Sequence, residues 1–226
     1  MEPAIALLGR SQDFEDRLIE VLGAIEEFSN APKALAGGRA AQLAIEHGRA
    51  TRELFGSGMP NSASAMLRAQ YEAVVRSAWA IYAATALQVD RLNQPLDLES
   101  EQSAKNLPGA LEMLKALTGR AGFLPELGGL VTPLIEIHTH HWRAMNSFVH
   151  GGIHPLQRSA TGFPQELAET VIRASNGVMH FAFRLLARLG SSAHVVVEID
   201  RAWIDFEDCC PMAPKTDQSA APTAPQ

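Results

Sequence analysis

The chain has 226 residues, 46% hydrophobic and 19% charged, with a formal net charge of −6. That length supports one sizeable core, and the acidic balance excludes a general basic field for nucleic acid or anionic lipid. The only two cysteines, Cys209 and Cys210, are adjacent and so do not staple a fold. With no stretch near the ~20 apolar residues of a membrane span and no basic lead of a secretory leader, a reduced, cytoplasmic protein without a membrane partner is expected.

Ser11 reads as the N-cap of a first helix, with Asp13, Glu15 and Asp16 in its early turns and Phe14, Leu18, Ile19, Leu22 and Ile25 on one face. Asn30, Ala31 and Pro32 end it. A second helix is expected over 33–55, its start weakened by Gly37 and Gly38, with a turn over 56–60 and Asn61 or Ser62 capping the next element.

That next helix, over 62–92, is the longest expected. Leu67, Tyr71, Val74, Val75, Ala78, Ile81 and Tyr82 form one apolar arc at 100° per residue, and the reverse side is almost all alanine. A helix apolar on one side and small on the other packs on both, so it should be central. Arg68 lies inside the apolar arc with Glu72 beside it, and this i, i+4 pair predicts a buried network.

Residues 93–107 read as a loop, 107–118 as a short helix ended by Gly119, and the Gly/Pro-rich stretch to Pro133 as a turn with a short helical piece. A His-rich helix follows over 133–150, stopped by Gly151 and Gly152. After a loop, 164–189 is the last long helix, closed by Gly190. Val195 to Ile199 reads as a lone β-like run, and 211–226, rich in Pro, Ala and Thr, as a disordered tail.

The chemistry concentrates in 135–155, which holds five of the eight histidines. On a helical wheel Thr139, Arg143 and His150 fall within about 40° of each other, because seven residues are nearly two turns. Glu136, Asn146 and Ser147 share that stripe. Its residues are short and polar rather than the Lys and Glu of a washed surface, and the two glycines open the backbone beside His150. An arginine can grip a phosphate with a forked pair of hydrogen bonds while an imidazole moves a proton near neutral pH. The plain alternative is the solvated face of an amphipathic helix.

Arg143 and His150, in RAMNSFVH, fit the Arg-x4–6-His signature and so resemble HEPN-type proteins, all-helical modules that often act as metal-independent ribonucleases when dimerised. LRAQYEAVVRSAWAIY, followed by NSFVHGG, is also similar to a set of bacterial helical proteins related to that group. The resemblance implies an all-α, antiparallel helical bundle, with Arg143 as phosphate clamp, His150 as proton-transfer group and Asn146 as a supporting contact. It also implies a homodimer, since one histidine per chain does not easily serve as both acid and base. Ala144 departs from the polar residue often found after the arginine.

Arg68 and Glu72 are expected to face the Asn146/His150 stripe and orient it, with Ser147 in support. His138, His140 and His141 suggest a metal site only weakly, because no carboxylate or cysteine motif completes a ligand set, and no metal or cofactor is expected. The expectation is thus one HEPN-like helical-bundle domain over 1–210 with short extra helices and a tail. Its leading function is metal-independent RNA cleavage as a homodimer. The rival is a non-catalytic bundle that binds a nucleotide or protein partner and keeps the stripe as a structural network.

Overall fold

The computed structural model describes residues 2–124, 127–190 and 192–211. The expected disordered tail lies, from residue 212 onward, outside the described residues. The described chain is all-helical, in the order α1 (Glu2–Leu22), α2 (Pro32–Gly56), α3 (Pro60–Tyr82), α4 (Ala86–Asn93), α5 (Leu98–Ala104), α6 (Ala110–Ala121), α7 (Gly128–Val149), α8 (Ile153–Thr161), α9 (Gln165–Leu189) and α10 (Ala193–Asp205). A single 3₁₀ turn, Glu207–Cys209, follows α10.

The central elements are α3 and α9. Along α3 both the apolar arc and the alanine side are buried, with Leu67, Tyr71, Val74 and Val75 on one and Ala73 and Ala80 on the other. It packs against α2 and α9 and also meets α6, α7 and α8. The most extensive pairing is α2 on α3, and α2 turns its small side inward: Ala34, Ala36, Gly37, Ala40, Ala41, Ala44 and Gly48 are buried, while Leu35 and Leu43 stay exposed. Close approach of the two axes explains this choice. A Cβ on Gly37 would lie 2.4 Å from Ile81 Cγ1, and Ser77 Oγ donates to the Gly37 carbonyl at 2.8 Å. Gly37 therefore joins the helices rather than weakening one.

Buried polar ties cross the core. Gln70 Nε2 donates to the Ser175 carbonyl at 3.0 Å and Ser175 Oγ returns a bond to Gln70 Oε1 at 2.7 Å, locking α3 to α9. Tyr71 Oη donates to the Leu134 carbonyl at 2.8 Å, fixing α7 against α3. Each satisfies groups that would otherwise be costly to bury.

Several elements differ from the sequence reading. Ser11 is not a cap: it is buried within α1, donates back to the Leu7 carbonyl at 2.7 Å and accepts from Asn176 Nδ2 at 2.8 Å. Glu15 is likewise no first-turn acid but a buried carboxylate held by Arg49 and Arg52. The helix caps of α3 fall on Met59, with Pro60 in the first turn, rather than on Asn61 or Ser62.

The long helix over 62–92 is two helices. Thr85 breaks it with a reciprocal capping box: its hydroxyl accepts from the Gln88 N–H, and the Gln88 side chain takes the Thr85 N–H. The loops over 93–107 and after Pro155 contain α5 and α8. The β-like run is part of α10, begun by Ser192 as N-cap, with Val195 and Ile199 buried and Val197 exposed.

The neighbouring cysteines also lie in ordered, buried chain. Asn176 Nδ2 donates to the Cys209 carbonyl at 2.7 Å, Arg10 pairs with Asp208 at 3.0 Å, and the rings of Phe14 and Phe206 lie 5.4 Å apart. These contacts dock the end of the described chain onto α1 and α9.

Candidate functional site

The C-terminal half of α7 lies against α3, and the facing side chains build a polar cluster at their seam. Arg68 is its hub. Its Nε and Nη2 donate to Glu72 Oε1 at 3.3 and 3.1 Å, which uses the i, i+4 spacing on α3 to fix the guanidinium plane. Its Nη1 crosses to α7, where it donates to Asn146 Oδ1 and lies 3.1 Å from His150 Nε2. The guanidinium carbon sits 4.6 Å from the centre of the Trp142 ring, a cation–π contact that keeps the charge partly out of water.

The Arg68 side chain is 15% exposed and that of Glu72 37%. The pair is therefore neither a free surface ion pair nor a sealed one, and Asn146 and His150 beside it are exposed. Trp142 in turn stacks on His138, with ring centres 4.5 Å apart. Burial pushes the His138 imidazole below its ordinary pKa, and its Nδ1 is buried without a hydrogen-bond partner.

The corner after α7 explains the two glycines. His150 is the C-cap residue, Gly151 follows with φ +62°, and the Gly152 N–H reaches back to the Ser147 carbonyl at 2.8 Å. This is the six-to-one bond of a Schellman ending, which needs the left-handed residue that glycine supplies. A Cβ on Gly152 would lie 2.6 Å from Ser147 Oγ and 3.2 Å from Ser147 Cα. Ser147 Oγ accepts the His154 N–H at 3.1 Å and thereby caps α8, whose own N-cap residue, Gly152, has no side chain to do so. The glycines turn the chain rather than clear space for a ligand, and Ser147 is spent on that turn.

The predicted residues thus divide. Arg68, Glu72, Asn146 and His150 come together; Ser147 lies at the corner as a capping group. Thr139 returns its hydroxyl to the Ile135 carbonyl at 2.8 Å. Arg143 stands apart from the cluster: it is exposed, with no hydrogen bond or ion pair among the described residues. Seven residues place it about 10 Å along the helix from His150, on the same face. The arginine beside the histidine is therefore Arg68, from another helix.

Trp142 is the member that the sequence reading omitted. Its only sequence signal is its place four residues before Asn146 and four after His138, which puts all three on one line of the helix. Among the described residues no group of three or more His, Cys, Asp or Glu comes together as metal ligands. A cavity of about 780 Å³ opens elsewhere, between α9, α10 and the 3₁₀ turn, with Glu169, Arg173, Trp203 and Cys210 in its wall. None of the cluster residues lines it.

In chemical terms the cluster offers an imidazole at the surface, a fixed guanidinium behind it, an amide between them and a second, unengaged guanidinium two turns away. No described helix is long and apolar enough to cross a membrane. No curated protein and no solved structure matches the chain. The model of a family of unknown function, DUF6988, matches residues 41–212, a stretch that contains the whole cluster, and the chain belongs to that family.

Proposed function

We propose that the α3/α7 seam binds the phosphodiester backbone of RNA and cleaves it without a metal, in a homodimer, with Arg143 and His150 in the site and Asn146 in support. The observation that carries this reading is the presence on one helix face, about two turns apart, of an exposed, unengaged Arg143 and an exposed His150 anchored from behind by Arg68. An unpaired forked donor can grip a phosphate and supplies locally the positive charge that a chain of net charge −6 lacks overall. Support for RNA among phosphodiesters comes from the Arg-x6-His spacing, which is similar to that of HEPN-type proteins.

The dimer draws support from α8. None of its nine residues is buried, and Ile153 and Leu156 are each 63% exposed, as Val149 next to His150 in the chain is 44% exposed. A second copy covering that surface would bring a second histidine to the site, giving one acid and one base.

The test is RNA cleavage in the presence of a chelator by wild type, Arg143→Ala and His150→Ala. Cleavage should fall by about 10²-fold or more in His150→Ala, the usual scale of a lost proton-transfer group. No cleavage by wild type across varied RNAs, or equal cleavage by the variant, would sink the proposal.

One observation favours a second reading, a binding bundle in which the cluster is a structural clasp. Arg68 spends donors from all three of its nitrogens on Glu72, Asn146 and His150. Under that reading Arg68→Ala lowers stability, and no variant has an activity to lose.

A further inference from the structure

A guanidinium only donates hydrogen bonds, whereas a neutral imidazole carries one N–H and one lone pair. Arg68 Nη1 faces His150 Nε2 at 3.1 Å, so that ring nitrogen accepts and the ring proton lies on Nδ1. We propose that Arg68 is a positioning residue that holds His150 as the Nδ1–H tautomer with its Nε2 lone pair capped. In this state Nδ1–H is what His150 offers to a phosphodiester oxygen, and Arg68 must leave Nε2 before the ring takes up a proton there. The functional part of this inference rests on the reading of His150 as a working residue; the tautomer itself is independent of it.

The surroundings give Arg68 little freedom to do otherwise. Two of its nitrogens are anchored on Glu72 of its own helix, its face rests on Trp142, and only 15% of the side chain is exposed. The third nitrogen is thereby aimed across the seam at α7. Asn146 Oδ1 accepts from that same Nη1, which sets the guanidinium between the two α7 side chains. A histidine without such a donor favours the other tautomer, with the proton on Nε2, so the geometry makes a prediction opposite to the default.

Imidazole ¹⁵N NMR on the full chain tests this, at a pH well above the ordinary imidazole value, with His150 identified by the resonances lost in His150→Gln. The expected spectrum has Nε2 at the shift of an unprotonated ring nitrogen and the proton on Nδ1. In Arg68→Met those two assignments should exchange, whereas Arg68→Lys, which still carries a donor, should keep the wild-type pattern. An Nε2–H histidine in wild type overturns the proposal, as does an unchanged tautomer in a folded Arg68→Met. If Arg68→Met does not fold, the wild-type and Arg68→Lys spectra still decide. RNA cleavage is scored separately. A wild type that is Nδ1–H but cleaves nothing keeps this inference and loses the proposed function, and a His150-dependent nuclease with an Nε2–H histidine does the reverse.

Discussion

The Glu15 carboxyl group sits on a side chain only 1% exposed, a position that water does not reach. It is tolerated because Arg52, itself only 11% exposed, meets one oxygen at 2.6 Å and Arg49 meets the other. Removing the carboxylate leaves the Arg52 charge buried and alone, so Glu15→Ala should lower unfolding free energy by about 3–5 kcal/mol in urea titration. Arg49→Ala should cost clearly less, because its side chain is half exposed and Arg52 remains. His138 gives a pH signature of its own. Burial holds its folded pKa below the ordinary 6.5, so the unfolded chain takes the proton first as pH falls. Stability from this group is therefore intact above 6.5 and declines below it, down to the folded pKa. Urea midpoints of wild type should drop across that window, and the drop should be smaller in His138→Phe; equal drops would refute the assignment.

At the scale of elements, the corner between α7 and α8 is held by close backbone contact rather than by apolar burial, since α8 buries none of its residues. In Gly152→Ala the new Cβ would lie 3.2 Å from Ser147 Cα, so backbone must move, at a cost of about 1–3 kcal/mol. Hydrogen exchange should show α8 amides, His154 first, losing protection while α9 keeps its own; unchanged α8 exchange would rule out this account. The same elements show what the sequence could reveal. The last long helix was expected over 164–189 and spans Gln165–Leu189, and the second over 33–55 and spans Pro32–Gly56, because Pro and Gly punctuate both ends and local signals suffice. The break at Thr85 was legible too, in the Thr-x-x-Gln box, but the surrounding alanines carry helix propensity straight through it. α10 was not legible. Its valine run has strand propensity, and what overrides it is docking of Val195 and Ile199 onto the core at helical spacing. In the candidate site the seam partners Arg68 and Glu72 were inferred from a charged pair set within an apolar arc. That this pair would face Asn146 and His150 was expected from the polar stripe on the His-rich helix, whereas the Trp142 ring beside Arg68 depends on how two helices meet, which no single stretch encodes.

On the scale of the whole molecule, the described chain closes its end against its beginning. Arg10 grips Asp208 and the Asp205 carbonyl, Arg173 donates to the Asp208 carbonyl, and Cys209 and Cys210 are 0% and 1% exposed. The Cys210 thiol is pushed well above the ordinary range by its hydrogen bond with Cys209 and by burial. Because both are buried, the two thiols should resist a colorimetric disulfide reagent in native buffer and react together, at a rate that rises with urea in step with global unfolding. Fast labelling of a protein that remains folded would show that this end opens by itself. The closure also sets a schedule for synthesis. α1 leaves the ribosome before α9 and α10, so Ser11 waits for Asn176, Phe14 for Phe206 and Arg10 for Asp208. A nascent chain stopped before α9 carries α1 without the helix it packs on and without the residues that Ser11, Phe14 and Arg10 meet, so termination there yields a sticky helix instead of a smaller version of the protein.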